Sequence, residues 1–101
     1  MSESTPGPKV VHNEQAHRFE AAVPSGTAHA DYQRVGDALQ MIHTEVPDAS
    51  QNRGVAAALV TTAFAYAEKN GLRIVPTCGY VRSYMRKHPE THSLLAPGTQ
   101  L

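Results

Sequence analysis

The chain has 101 residues, of which 41% are hydrophobic and 18% charged, and its formal net charge is zero. These values fit one globular domain of modest size and exclude a disordered chain. The balanced charge argues against a nucleic-acid-binding module, which usually carries a basic surplus. No apolar run in the sequence is long enough for a membrane span, and the polar N-terminus does not resemble a secretory signal.

The organisation predicted from composition is a tail over residues 1–9, one domain over 10–95 and a second tail over 96–101. Cys78 is the single cysteine, so an internal disulfide is impossible. A reducing, cytoplasmic setting therefore fits best.

The first half of the chain predicts short strands that are joined by tight turns, which is typical of an antiparallel sheet. Strands are predicted over residues 10–12, 17–23, 27–35 and 38–46. Alternation along the fourth strand predicts two faces. One face would carry Leu39, Met41, His43 and Glu45, and the other Ile42, Thr44 and Val46.

A long amphipathic helix is predicted from Gly54 to Asn70, and Gly71 would end it. A short strand over 72–76 follows, and the handedness of crossover connections predicts that it lies parallel to the fourth strand. A second helix is predicted over 80–87. The expected fold class is α+β: a mixed, mainly antiparallel sheet with one long helix packed on it and a short C-terminal helix.

The loop before the long helix is the strongest functional signal, and its sequence is Gln51-Asn52-Arg53-Gly54-Val55-Ala56. The first backbone N–H groups of a helix have no partner within the helix, and the positive end of the helix dipole lies behind them. Such a turn can bind a phosphate. The alternative is a loop that only caps the helix, with the glycine present for its turn.

The same loop carries a family resemblance, because Gln51, Gly54 and Ala56 fill the three defined positions of Gln/Arg-x-x-Gly-x-Gly/Ala. That motif is the acetyl-CoA loop of the GCN5-related N-acetyltransferase superfamily, and the chain resembles its small, single-domain members over about residues 10 to 92. The other similar segments are Val11–Asn13, Arg18–Glu20, His43–Pro47, Pro76–Val81 and His88–Glu90.

The resemblance implies transfer of an acetyl group from acetyl-CoA to an amine, by direct attack of the amine on the thioester. It implies that the coenzyme A pyrophosphate binds at the loop, on residues Gln51, Asn52, Arg53, Gly54, Val55 and Ala56. It also implies that the pantetheine arm runs beside the fourth strand, where the backbone of Val46 would pair with it. Asn52 and Ala56 stand where close relatives usually carry glycine, which keeps open a second hypothesis: a non-catalytic module that binds an acyl-CoA or another anion.

Two residues of the fourth strand are candidates for a general base. His43 and Glu45 are two positions apart, so both should project from one face of the strand. Acetylation needs a free amine, and either side chain could accept the amine proton. The alternative is that His43 is a structural histidine and Glu45 a solvated strand end.

Cys78 lies where a strand meets the start of a helix, a position that favours thiol reactivity. It could be an acyl-accepting nucleophile, a wall of the thioester pocket or simply a small buried residue. We rank the wall above the nucleophile, because the superfamily usually transfers the acetyl group directly. Tyr80 and Tyr84, on the first turns of that helix, could donate a proton to the departing thiolate or could belong to the core.

The six histidines have no recognised metal-ligand spacing, so no metal is expected. The predicted partners are acetyl-CoA and an amine of unknown identity, of which a peptide or protein amine is one class, without nucleic acid or membrane. A third hypothesis is an interaction domain that has no ligand. Binding of coenzyme A would separate the first two hypotheses from the third, and turnover would separate the first from the second.

Overall fold

The structure is a computed structural model that describes residues 9–47 and 54–101. Its strands are β1 (Val11–Asn13), β2 (Arg18–Val23), β3 (Gly26–Val35), β4 (Ala38–Glu45) and β5 (Arg73–Pro76). Its helices are α1 (Val55–Lys69), α2 (Gly79–Lys87) and a 3-10 helix (Pro89–Leu94). Each predicted strand and helix is present within one or two residues of its expected bounds.

The five strands form one sheet in the order β1-β2-β3-β4-β5. Neighbouring strands are antiparallel from β1 to β4, whereas β4 and β5 are parallel, with register from Ala38↔Arg73 to Met41↔Pro76. This mixed, mainly antiparallel sheet confirms the predicted fold class and the predicted parallel crossover through α1.

The core lies between one face of the sheet and α1, which packs across β2, β3, β4 and β5. Alternation along the strands places apolar residues on this inner face. The buried strand residues are Phe19, Ala21, Ala28, Ala30, Tyr32, Leu39, Met41, Ile74 and Pro76. From α2, Val81 and Met85 join the same core.

The end of α1 shows why the helix stops where the sequence predicts. Gly71 adopts φ +67°, a left-handed conformation that favours glycine. The next residue, Leu72, donates its backbone N–H to the Ala67 carbonyl at 2.8 Å, which closes the helix in a Schellman motif. The chain then enters β5 in the direction that the parallel pairing requires.

One prediction about β4 is wrong: Leu39 and Met41 do not share a face with His43 and Glu45. A β-bulge shifts the register between Asp31 and Tyr32, so that Tyr32 pairs with Met41 whereas Asp31 pairs with His43. Ile42 is the extra residue, and an extra residue reverses the side on which all later side chains lie. His43 and Glu45 are consequently exposed.

The same bulge turns Thr44 towards the core. Thr44 pairs across the strands with Ala30, which is fully buried, and its hydroxyl oxygen lies 3.5 Å from the Cys78 thiol. The expectation that Thr44 lies on the face opposite Met41 is therefore also wrong.

Residues after the 3-10 helix run beside β5 and α2. Ala96 donates its N–H to the Ile74 carbonyl at 3.0 Å, and the Arg82 guanidinium donates to the Gln100 carbonyl at 3.2 Å. These bonds hold the last residues against the sheet, and the division into one domain and two tails stays a prediction.

Candidate active site

The N-terminus of α1 has the backbone geometry of an anion site. Gly54 is the N-cap residue, with φ 76° and ψ 9°, and its carbonyl accepts the first helical bond from the Ala58 N–H at 3.0 Å. No side chain caps the helix in the described part of the chain, and its first turn contains no acidic residue. The positive end of the helix dipole is therefore uncompensated by a neighbouring carboxylate there.

Glycine is required at position 54 by the backbone conformation and not by steric crowding. A Cβ built on Gly54 would meet no described atom within 4 Å, but the positive φ strains any L-residue with a side chain. The predicted loop residues Gln51, Asn52 and Arg53 lie outside the described residues. Val55 is buried and Ala56 half-buried in the first turn.

The pairing between β4 and β5 ends before β4 does. Paired register ends at Met41↔Pro76, and the last link between the two segments is the Cys78 N–H, which donates to the Met41 carbonyl at 2.8 Å. Beyond it, residues 42–45 have no strand partner on the β5 side among the described residues, while their other side stays paired with β3. Strand β4 thus extends beyond the end of β5, and we call the unpaired β5-side edge of residues 42–45 the β4–β5 gap.

Cys78 lies at the closed end of this gap. It is the N-cap residue of α2 in extended conformation, φ −70° and ψ 134°, and its side chain is only 9% exposed. Its thiol contacts Thr44 across the gap. The thiol is therefore buried and in contact with β4, and its role as a pocket wall stays a prediction.

The two tyrosines of α2 differ in their surroundings. Tyr80 is 39% exposed, and burial of its hydroxyl together with the nearby Tyr84 raises its pKa. Tyr84 contacts the Phe64 ring of α1 edge-on and stacks on His88 with ring centroids 4.1 Å apart. Tyr84 is therefore packed against the core, whereas Tyr80 keeps its ring partly accessible.

The predicted base residues do share a face. The Nε2 atom of His43 lies 3.4 Å from Oε1 of Glu45, and their side chains are 57% and 63% exposed. They lie on the outer face of the sheet, opposite α1, along the part of β4 that extends beyond β5. Their catalytic role is not tested by this geometry and stays a prediction.

Two further residues, His29 and Asp31, lie beside this pair in the structure, although the sequence pattern did not indicate them as site residues. His29 and Asp31 lie on the same outer face of β3, and the register sets them opposite Glu45 and His43. The signal that could have revealed them is the polar alternation of His29 and Asp31 between the buried alanines of β3. Because the bulge decides which β4 residues they meet, alternation alone could not show the contact.

The parallel β4–β5 pair, the crossover helix α1 that begins at a glycine and the buried thiol at the end of β5 agree with the GCN5-type fold that the resemblance implies. The family model "GCN5-related N-acetyl-transferase" matches residues 18–94. The chain belongs to this family.

Named relatives and a solved structure agree with that assignment. Protein NATD1 of Mus musculus is 31% identical over 84 residues, which is 80% of this chain and 76% of the relative. Protein NATD1 of Homo sapiens is 36% identical over 59 residues, 57% of this chain and about half, 52%, of the human protein. The NMR structure of a GCN5-like protein from Staphylococcus aureus superposes with TM-score 0.70 at 19% identity and covers 91% of each chain, which supports the fold.

Two further observations concern residues 9–47 and 54–101 only. No three or more histidine, cysteine, aspartate or glutamate side chains converge there in a metal-binding arrangement. Neither α1 nor α2 has the length and apolar character needed to cross a lipid bilayer.

Proposed function

We propose that the protein is an acetyl-CoA-dependent N-acetyltransferase in which the acceptor amine attacks the thioester directly. The observation that carries the proposal is the β4–β5 gap together with the glycine start of α1, where no described side chain caps the helix. The helix start suits a pyrophosphate, and the gap suits an extended arm that ends at a thioester. Membership of the GCN5-related family supports the same chemistry.

In this proposal, residues 51–56 hold the pyrophosphate, with Gly54 setting the turn from which the first N–H groups of α1 project. The pantetheine arm lies along β4 beside Val46, and acetyl-CoA supplies the activated acetyl group. Cys78 forms the wall of the thioester pocket, since its thiol is buried and contacts Thr44. Backbone donors near Val46 polarise the thioester carbonyl.

Proton transfer falls to side chains on either side of the gap. Glu45, assisted by His43, removes the proton from the attacking amine on the outer face of the sheet. Tyr80 is the donor to the departing thiolate, because its ring is the accessible one of the two tyrosines. The Tyr84 ring contacts the Tyr80 ring, with centroids 6.4 Å apart.

The acceptor side of the proposed site is open. Among the described residues, tight turns join the antiparallel strands without a helix between β1 and β4, and the side chains of His43 and Glu45 are more than half exposed. We infer that a peptide or protein amine is the acceptor class that such an open face suits. A cytoplasmic setting, without nucleic acid or membrane as partner, completes the proposal.

Titration calorimetry with coenzyme A and acetyl-CoA, followed by mass spectrometry of an amine and peptide panel, tests this function. We expect saturable binding of both and acetylated product. Binding without product would favour the non-catalytic acyl-CoA module. Absence of binding at millimolar coenzyme A would overturn both and leave the interaction domain.

A separate prediction concerns Cys78. If this thiol lines the thioester end of the pocket, saturating coenzyme A should slow its alkylation by iodoacetamide, which intact-protein mass spectrometry can follow. Equal alkylation rates with and without coenzyme A would contradict this placement. A stable acetyl adduct on Cys78 would instead favour a covalent mechanism over direct transfer.

A further inference from the structure

Four titratable side chains form a cluster on the sheet face opposite α1. We call it the outer-face cluster, and it consists of His29, Asp31, His43 and Glu45. The register of β3 and β4 creates it, because His29 pairs with Glu45 and Asp31 with His43. The cluster adds two residues to the base that the proposed function uses.

Asp31 fixes the orientation of the His29 ring. Oδ1 of Asp31 lies 2.8 Å from Nδ1 of His29, and the His29 side chain is only 16% exposed. A carboxylate accepts hydrogen bonds, so Nδ1 is the ring atom that carries the hydrogen. In the neutral ring, Nε2 is then left with a lone pair.

That lone pair belongs to the ring atom nearest Glu45. Nε2 of His29 lies 3.6 Å from Oε1 of Glu45, and the same carboxylate oxygen lies 3.4 Å from Nε2 of His43. When the His29 ring is neutral, this contact joins two acceptors, Nε2 of His29 and Oε1 of Glu45, with no hydrogen between them. A proton added to Glu45 would turn this contact into a hydrogen bond from the carboxyl O–H to Nε2 of His29.

We propose that His29 and Asp31 extend Glu45 into a proton relay for acetyl transfer. This inference rests on the proposed function. The amine proton moves to Glu45, then from the Glu45 carboxyl to Nε2 of His29, and Glu45 returns to its ionised form. The His29 imidazolium keeps its hydrogen bond from Nδ1 to Asp31 and releases the Nε2 proton to solvent, which restores the resting tautomer. His29 and Asp31 act through Glu45 and are positioning residues.

Charges around the relay come from β2 as well. The Nε atom of Arg18 lies 3.1 Å from the same Asp31 oxygen, and another Arg18 nitrogen lies 3.9 Å from Glu20. The Arg18 Nε atom forms no hydrogen bond with the described residues, so Arg18 contributes a positive charge beside Asp31 and not a directional contact. A surface ion-pair network would show the same contacts, so the test must separate a relay from a network.

A double-mutant cycle distinguishes a proton relay from a surface ion-pair network. Asp31→Asn keeps the side-chain shape but removes the anionic acceptor, and His29→Gln removes the ring. We expect each to lower kcat by about tenfold or more while the KM for acetyl-CoA and the Tm change little. In the Glu45→Gln background neither should lower kcat further, because groups that act as one unit are not additive. Gln33→Ala, an exposed change on β3, is the control.

The outcomes distinguish the relay from the activity on which it rests. The relay would be overturned if Asp31→Asn and His29→Gln lowered kcat further in the Glu45→Gln background, or if they left kcat unchanged in the parent. Neither result would contradict the acetyltransferase activity itself. A parent that binds acetyl-CoA but acetylates no amine would overturn both. Long-range ¹H–¹⁵N NMR tests the ring without turnover: neutral His29 should carry its hydrogen on Nδ1 in the parent, and a hydrogen on Nε2 there would overturn the relay.

Discussion

Replacing Gly54 with Val should weaken coenzyme A binding by at least about tenfold. The left-handed backbone at this position, φ 76°, costs an L-residue roughly 1–2 kcal/mol, and a β-branched side chain adds to that strain. A tenfold change in affinity corresponds to about 1.4 kcal/mol, so relaxation of the turn alone would account for it. Obstruction of the phosphate by the new side chain would increase the loss. Calorimetry of both proteins measures the difference.

Gly71→Val is the matched control for this experiment. Gly71 also has a positive φ, 67°, and a Cβ there also meets no described atom within 4 Å, but it ends α1 instead of starting it. The control should lose stability and keep its affinity for coenzyme A at a temperature where both variants are folded. Parental affinity in Gly54→Val would contradict a phosphate site at this helix start, and equal losses in both variants would indicate general destabilisation.

Glu45→Gln and His43→Ala should each lower acetyl transfer by about a hundredfold, the usual contribution of a general base. Coenzyme A affinity should hardly change, because a base acts in the transition state and contributes little to holding the cofactor. Since both side chains are more than half exposed, Tm should also be preserved. Steady-state kinetics on an accepted amine, with calorimetry of coenzyme A, measures both quantities.

Glu68→Gln is the control for removal of a carboxylate, because Glu68 is exposed on α1 and distant in sequence from the cluster. If both site variants turn over like the parent, solvent or another group removes the proton. If affinity falls in step with rate, His43 and Glu45 belong to the structure of the pocket.

Most of the fold could be predicted because local patterns and tertiary structure agree. Alternation in β3 sets Ala28, Ala30 and Tyr32 on the core side, and the structure buries all three. The spacing of Val55, Leu59 and Ala63 likewise predicts the buried stripe of α1. Asn70-Gly71 predicts the helix end, which the Schellman bond at Leu72 confirms.

The site could be predicted only in part. Gly54 predicts the helix start because glycine adopts the positive φ that this turn requires. The contact of His43 with Glu45 follows from their spacing of two residues along the strand. The bulge at Ile42 has no such local signature, because it depends on how β4 aligns with β3. For the same reason the contact of His29 with Glu45 could not be seen before the register was known, and residues 51–53 stay a prediction.

The extra residue at Ile42 can also be described as a change of parity. Before it, odd-numbered positions of β4 point inward, as Leu39 and Met41 do; after it, the even-numbered Thr44 does. A single strand therefore supplies apolar contacts to the interior at one end and ionisable groups to the opposite surface at the other, without a turn between them. Deleting Ile42 would remove the bulge and leave a regular strand in which His43 and Glu45 still lie on the outer face, whereas deleting a paired residue such as Gln40 would change the parity on one side of the bulge. The strand should therefore tolerate the loss of Ile42 better than the loss of a paired neighbour.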